Sequence, residues 1–243
     1  MRDADLDPAG DSKPGLRIAM LVRAMPLHHL GGMELYAETM RQGLTRLGHT
    51  VTTITTPWPS GDEQYIEDQW GAMYGVGSGP SGAYSKSWDE SSVRMLLALH
   101  ERNRFDVIAS HGKAAYPYLR ARSALASRQR LPVVIISHGT IAGELRSRLA
   151  QLPHQPLALL RWLPRGVMFW RDDRLWLRHT QHITALSQRD AELLRHSFPL
   201  SGVPISVIPN GVDVQALSTS GEQRAAIRQR FEIGDDTCVI AVV

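Results

Sequence analysis

Six short apolar or β-branched runs, separated by segments of helical character, constrain this chain more than any other feature. "RIAMLV" begins at Arg17, and "HTVTTITT", "FDVIAS", "LPVVIISHG", "HITALS" and "PISVIP" follow in turn. Such runs suit strands buried on both faces, with the intervening helices as cover. The expected fold class is therefore α/β, a doubly wound parallel sheet. The first helix is expected over Met33–Leu47, where Leu35, Met40, Leu44 and Leu47 recur at helical spacing. Others are expected near 90–103, with Val93, Leu96, Leu97 and His100 on one side, and near 114–128 and 189–196. "GAMYGVGSGPSGAYSKS", Gly71 to Ser87, reads as a long loop because glycine and serine dominate it. "EQRAAIRQRFEI" reads as a helix that leads to a last apolar strand, "TCVIAVV".

At 243 residues and 43% hydrophobic content, the chain can build one large core or two small ones. Cys238 is the only cysteine, which excludes an intrachain disulfide and a cysteine-based zinc cluster and fits a reducing, cytoplasmic setting. The acidic start "MRDADLDPAGDSKPG" lacks the basic and apolar regions of a secretory signal and reads as a flexible tail over 1–16. No apolar run reaches the ~18 residues of a membrane-spanning helix. Net charge is only +3, yet Arg94–Arg195 holds 17 Lys plus Arg against 7 Asp plus Glu, nearly all arginine. That zone suits phosphate-bearing ligands, acidic lipid or nucleic acid, or else is a solvated helix surface.

Ligands of open α/β sheets collect at the carboxyl ends of the strands, so the residues there carry the candidate chemistry. Three such places stand out: "HHLGGM", "SHGK" and "SHGT". Gly31 and Gly32 precede a helix, where bare amides and the macrodipole favour an anion such as a diphosphate; a steric turn without a ligand is the alternative. "LGGMEL" lacks the Gly-x-Gly-x-x-Gly spacing of a dinucleotide site. His138 ends the most hydrophobic strand and Gly139 follows it, so the imidazole is expected to project above the sheet, toward a ligand or toward a loop carbonyl. His111 sits in the equivalent place one strand earlier. His28 and His29 are adjacent and loop-borne, poor spacing for a shared metal. Asp172–Asp173 is bracketed by Arg171 and Arg174, as in a surface ion pair, and Asp235–Asp236 falls in a turn, so no metal is expected. Ser187 and Asp190 have capping-box spacing, with sugar contact as the second reading. Asn210–Gly211 makes a tight turn, and Asp213 can cap a helix starting near Val214.

In combination these segments resemble the N-terminal half of the retaining GT-B glycosyltransferases of family 4. "GGMELYAETMRQGLTRLGHTVTTIT" is similar to that family's glycine-pair opening, helix, Gly-His turn and second strand; "FDVIASHG", "ITALSQRDAELL" and "VIPNGVD" resemble later landmarks in the same order. The resemblance implies a Rossmann-like domain over 17–213, then over 214–243 a connection and the first strand of a truncated donor-binding domain. It implies sugar transfer from a nucleotide-diphosphate sugar to a hydroxyl acceptor, in glycan, polysaccharide or glycolipid synthesis, with no cofactor. His138 would orient the transferred sugar; Gly31, Gly32, His111 and Gly139 would bind substrate. The donor-gripping positions are expected in a missing C-terminal domain or a complementary chain, leaving this one inactive alone.

Between Glu144 and Arg178, Trp162, Trp170 and Trp176 interleave with Leu157, Leu159, Leu160, Leu163 and arginines, a pattern that fits core packing or peripheral docking on an anionic inner membrane face. Pro153, Pro156 and Pro164 are expected to break that segment into short pieces. Two rival classes stay open: a non-catalytic binding or regulatory remnant of the fold, and a nucleic-acid binder. The second rests on arginine alone, without a helix-turn-helix or RNA-binding motif, so no nucleic-acid partner is expected.

Overall fold

The computed structural model describes residues 14–60, 65–139, 141–150, 156–211, 214, 218–234 and 236–240. Asp213, Asp235, most of the expected tail and the last three residues lie outside that set. The strands are β1 Arg17–Leu21, β2 Thr50–Thr55, β3 Tyr65–Asp68, β4 Gly71–Gly75, β5 Val107–His111, β6 Val133–Ser137, β7 His182–Ala185 and β8 Ile205–Val207. They form one sheet in the order β3-β4-β2-β1-β5-β6-β7-β8, parallel except for the β3–β4 pair. The helices are α1 Gly32–Arg46, α2 Lys86–Asn103, α3 Tyr116–Ala121, α4 Ile141–Ala150, α5 Pro156–Trp176, α6 Gln188–Ser197 and α7 Gly221–Arg230.

The strand pleat sorts the core. Ala19, Leu21, Ile108, Val133 and Ile135 join a large cluster with Trp88 of α2 and Tyr118 of α3. Their neighbours Ile18, Ala109 and Ile136 face the other way, onto Tyr36, Met40 and Leu44 of α1. Alternate residues of one strand thus feed two cores, which is why the runs are apolar throughout. Every fully buried leucine or isoleucine contributes roughly 1.5–3 kcal/mol, and both faces collect it.

Several expectations need correction. α1 ends at Arg46, one residue short of Leu47; Leu35 and Leu47 are exposed, whereas Glu34 and Arg41 are buried. Arg41 makes two 2.7 Å bonds to the Asp68 carboxylate and two more to Glu38, clamping α1 to the β3–β4 hairpin. Met40 and Leu44 of the expected stripe pack on the core, and charge pairing, invisible to periodicity, brings Arg41 inward beside them. The first residues of the expected loop are β4, which pairs with β2 through Thr53↔Met73. Its glycines reflect close approach: a Cβ at Gly71 would strike the Val51 carbonyl, and one at Gly75 the Trp58 ring. The helix expected over 114–128 is a short α3 flanked by 3₁₀ turns. α5 runs unbroken for 21 residues with Pro164 inside it and Pro156 as its first residue, where no helical N–H is lost. Trp162 and Trp176 pack partly against the core, and Trp170 is exposed. Asp172–Asp173 forms no ion pair with the flanking arginines among the described residues; Asp173 accepts a 2.8 Å bond from the Tyr116 hydroxyl.

The chain divides into two compact units after Asn210. In the second, α7 starts with a capping box: Ser220 Oγ accepts from the Gln223 N–H at 3.1 Å, and Gln223 Oε1 accepts from the Ser220 N–H at 3.0 Å. Thr237–Ile240 is irregular, and Val239 and Ile240 are exposed, so the described part of the expected last strand is not a strand. Among the described residues no helix is long and apolar enough to cross a membrane.

Candidate functional site

Strand order reverses between β1 and β5, the two central neighbours whose following segments leave the sheet in opposite directions. A crevice at the carboxyl ends follows from that topology. The glycine pair after β1 and the two Ser-His-Gly stretches after β5 and β6 all come to this edge.

Both Ser-His-Gly stretches end their strands by the same device. Ser110 Oγ donates to the Gly112 carbonyl at 2.9 Å, and Ser137 Oγ donates to the Gly139 carbonyl at 3.1 Å. Gly112 has φ of 57° and Gly139 of 125°, conformations that a side chain would strain. The turn lifts each histidine onto the sheet edge, where the rings stack with centroids 5.1 Å apart and Nδ1 of His111 lies 3.0 Å from Nε2 of His138. Tyr36 of α1 packs edge-on against both.

The pair is held neutral. Burial pushes the His111 imidazole down to about 3, and the neighbouring His138 adds to that. Burial likewise lowers His138 to about 4, against a smaller opposing pull from Glu34. One proton fills the gap between the rings, because two facing N–H groups would repel. With Nε2 engaged, Nδ1 is the nitrogen His138 has left for a ligand. His111 is 2% exposed and its Nε2 is buried without a partner.

A cleft of about 1110 Å³ opens beside this pair, lined by His138, Gly139, Lys113, Asp173, Ser187 and Arg189 among others. His138 and Gly139 are therefore where a ligand can reach them. His111 is not among the lining residues: its ring stacks on that of His138 and is buried. Ser187 caps α6, accepting from the Asp190 N–H at 3.1 Å, and also lines the cleft.

The glycine pair divides. Gly31 is the N-cap of α1 in extended conformation, and a Cβ there would meet the Glu34 carboxylate, which folds back from the third helical position. Glu34 is 2% exposed and its Oε1 lies 3.2 Å from Arg23 Nη2 and 3.1 Å from His29 Nε2. The protein's own carboxylate thus stands at the positive helix end beside Gly31. Gly32 is exposed, with nothing within 4 Å of where its Cβ would be. His28 is structural: its Nδ1 accepts from the Met25 N–H at 3.1 Å and its Nε2 donates to the Thr56 carbonyl at the same distance.

Sequence reasoning passed over Lys113 and gave Asp173 only a surface ion pair. Lys113 follows Gly112 and lies 3.6 Å above the Phe169 ring, its ammonium pKa lowered by burial. Burial raises the Asp173 carboxyl to about 6, against the Tyr116 hydroxyl and Lys113, which favour the ionised form. A lone lysine within an arginine-rich zone was the available signal for the first. Nothing local marks the second.

A family model described as Glycosyltransferase Family 4 matches residues 30–216. No curated protein sequence gives a match. Among solved structures, sucrose-phosphate synthase from Thermosynechococcus elongatus superposes with a TM-score of 0.68 at 15% identity, over 91% of this chain and 53% of that one. Anabaena HepE, solved in complex with UDP and glucose, gives a TM-score of 0.51 at 14% identity, over 89% of this chain and 50% of its own. At such identities the likeness is one of fold, and the chain spans about half the length of these relatives.

Proposed function

The chain belongs to Glycosyltransferase Family 4, and on that premise we propose that it is the acceptor-side half of an enzyme moving a sugar, with retention, from a nucleotide-diphosphate sugar to a hydroxyl in glycan, polysaccharide or glycolipid synthesis. The observation that carries the reading is His138, a neutral imidazole with one free nitrogen on a cleft at the sheet's carboxyl edge. In the reaction, the bond from the anomeric carbon to the diphosphate breaks and the bond to the acceptor oxygen forms on the same face. The acceptor proton passes to the departing diphosphate oxygen. A ring whose pKa is about 4 is too weak a base to take that proton near neutrality. It serves instead as a fixed hydrogen-bonding partner that orients the sugar. Gly32 offers an uncovered backbone to the charge developing on the leaving group, with Glu34 limiting how closely that charge approaches Gly31.

The donor-gripping residues belong, in this reading, to a second domain or a complementary chain, since the chain spans about half the length of its structural relatives. The test is nucleotide release from UDP-, GDP- and dTDP-sugars by the chain alone and joined to a family donor domain. Turnover in the joined protein should fall about 100-fold in His138→Ala. Unchanged turnover in that variant would overturn the role of His138. Nucleotide-sugar binding without turnover in any format would favour a binding or regulatory remnant.

Peripheral contact with an anionic membrane at the cytoplasmic face is part of the proposal. α5 exposes Leu163, Val167, Trp170 and Leu175 beside Arg161, Arg171 and Arg174. Apolar side chains interleaved with cations suit the boundary of acidic headgroups. Co-sedimentation with phosphatidylcholine vesicles should rise as phosphatidylglycerol is added; the same binding with and without it would remove this element.

A further inference from the structure

Either ring of the His111–His138 pair can hold the proton between them, and the choice decides what His138 shows the cleft. Each ring is neutral and so carries a single proton on one of its two nitrogens. A proton on His138 Nε2 would make His111 Nδ1 the acceptor and put the His111 proton on Nε2. That nitrogen is buried and has no partner among the described residues, which would leave its N–H with nothing to donate to. A proton on His111 Nδ1 would instead leave His111 Nε2 as an unused lone pair and put the His138 proton on Nδ1. His138 is only partly buried and lines the cleft, so solvent or a ligand can satisfy a donor there.

Folded chains leave a buried N–H without an acceptor more rarely than they leave an acceptor unused. The second arrangement keeps every N–H of the pair supplied. We infer that His111 donates from Nδ1 to Nε2 of His138, so that His138 presents an N–H at Nδ1 to the cleft, with no lone pair on that side. The Ser110 and Ser137 turns, and Tyr36 packed edge-on against both rings, fix the 3.0 Å geometry that transmits the choice. On the reading of His138 given above, on which this step rests, the ligand atom it meets is a hydrogen-bond acceptor, a hydroxyl or ring oxygen of the sugar. A ring already protonated on its cleft side takes no proton from the acceptor hydroxyl. His111 is then a positioning residue, acting through His138 by setting its donor character.

A free imidazole side chain favours the Nε2–H form, so two adjacent Nδ1–H rings are a distinctive signature. Long-range proton–nitrogen correlation spectra of the 243-residue chain, labelled at histidine and held at neutral pH, report which nitrogen of each ring is protonated. His138→Asn and His111→Phe assign the two sets of signals. Both rings should be Nδ1–H tautomers; a proton on Nε2 of His138 would overturn the inference, whether or not either variant folds. His111→Phe keeps a ring in the slot and removes the donor. His138 should then revert to Nε2–H, and in the protein joined to a donor domain kcat should fall about tenfold with KM little changed. His111→Asn returns an N–H near the place of Nδ1 and should restore both the Nδ1–H form and most of kcat. Equal loss of kcat in the two variants, with His138 keeping one tautomer throughout, would overturn the positioning role. The tautomers are read without substrate: the expected signals with no turnover from any nucleotide sugar would keep the proton assignment and remove the transferase reading of His138. Turnover that depends on His138, with its Nε2 protonated, would do the reverse.

Discussion

Nδ1 of His111 and Nε2 of His138, 27 positions apart in sequence, face each other at 3.0 Å across the ends of two neighbouring parallel strands. One ring is sealed and the other opens onto a cleft, so the first fixes the tautomer and angle of the second. The gap holds one proton, so the two rings cannot both be charged, and burial disfavours charging even one of them.

That neutrality makes stability depend on pH in a defined direction. An unfolded histidine titrates near 6.5, whereas these fold with values of about 3 and about 4. Below 6.5 the unfolded chain takes up protons that the native pair refuses, so stability is fully present above 6.5 and is lost as pH falls toward 4. The slope is about 1.4 kcal/mol per pH unit for each such proton. Urea denaturation at a series of pH values would measure it. Proton NMR should show neither ring titrating between pH 5 and 8; a midpoint near 6.5 for either would contradict the buried, paired geometry.

Arg41→Met should destabilise the fold by about 2 kcal/mol. The change strips Asp68 and Glu38 of four charge-assisted bonds, yet both carboxylates keep some access to water, which holds the loss below the ~3–5 kcal/mol of a fully buried pair. Arg41→Lys should fall between, since an ammonium cannot serve two carboxylates with a planar fork. Thermal unfolding of the three proteins would rank them.

Two glycines of the site should respond oppositely. Gly139→Ala places a side chain at φ of 125° with no steric neighbour, so its cost is backbone strain alone, about 1–3 kcal/mol, and the His138 resonances should shift. Gly32→Ala opens an α-helix in ordinary conformation with free space around it and should be neutral within about 0.5 kcal/mol. Loss of nucleotide-sugar binding in a stable Gly32→Ala joined protein would support the leaving-group role.

Asp173→Asn should stabilise the protein above pH 6 by about 1–2 kcal/mol. Its native carboxyl titrates near 6 and its unfolded one near 3.9, so stability is lost as pH rises between them. The amide keeps an acceptor for the Tyr116 hydroxyl and removes the buried charge. A difference that is largest at pH 8 and shrinks as pH falls from 6 toward 3.9 is the expected pattern, read by denaturant midpoint.

The sequence by itself determined the alternation of strands and helices, the parallel sheet and the three carboxyl-end segments that carry the site. Those follow from apolar runs, propensity and turn chemistry, all of which act within a few residues. The Ser187 cap was legible for the same reason: donor and acceptor are three positions apart. The glycine-rich β4 was not, because what makes it a strand is contact with Val51 and Trp58, 20 and 17 positions before the glycines they touch. Only the closed fold put Glu34 at the glycine pair, turned Arg41 and not Leu35 inward, stacked the His111 ring against His138 and left Asp173 half-buried. Each of these depends on which charges and rings meet across the sheet once the chain has closed, and on the desolvation they share there, which no local pattern of residues encodes.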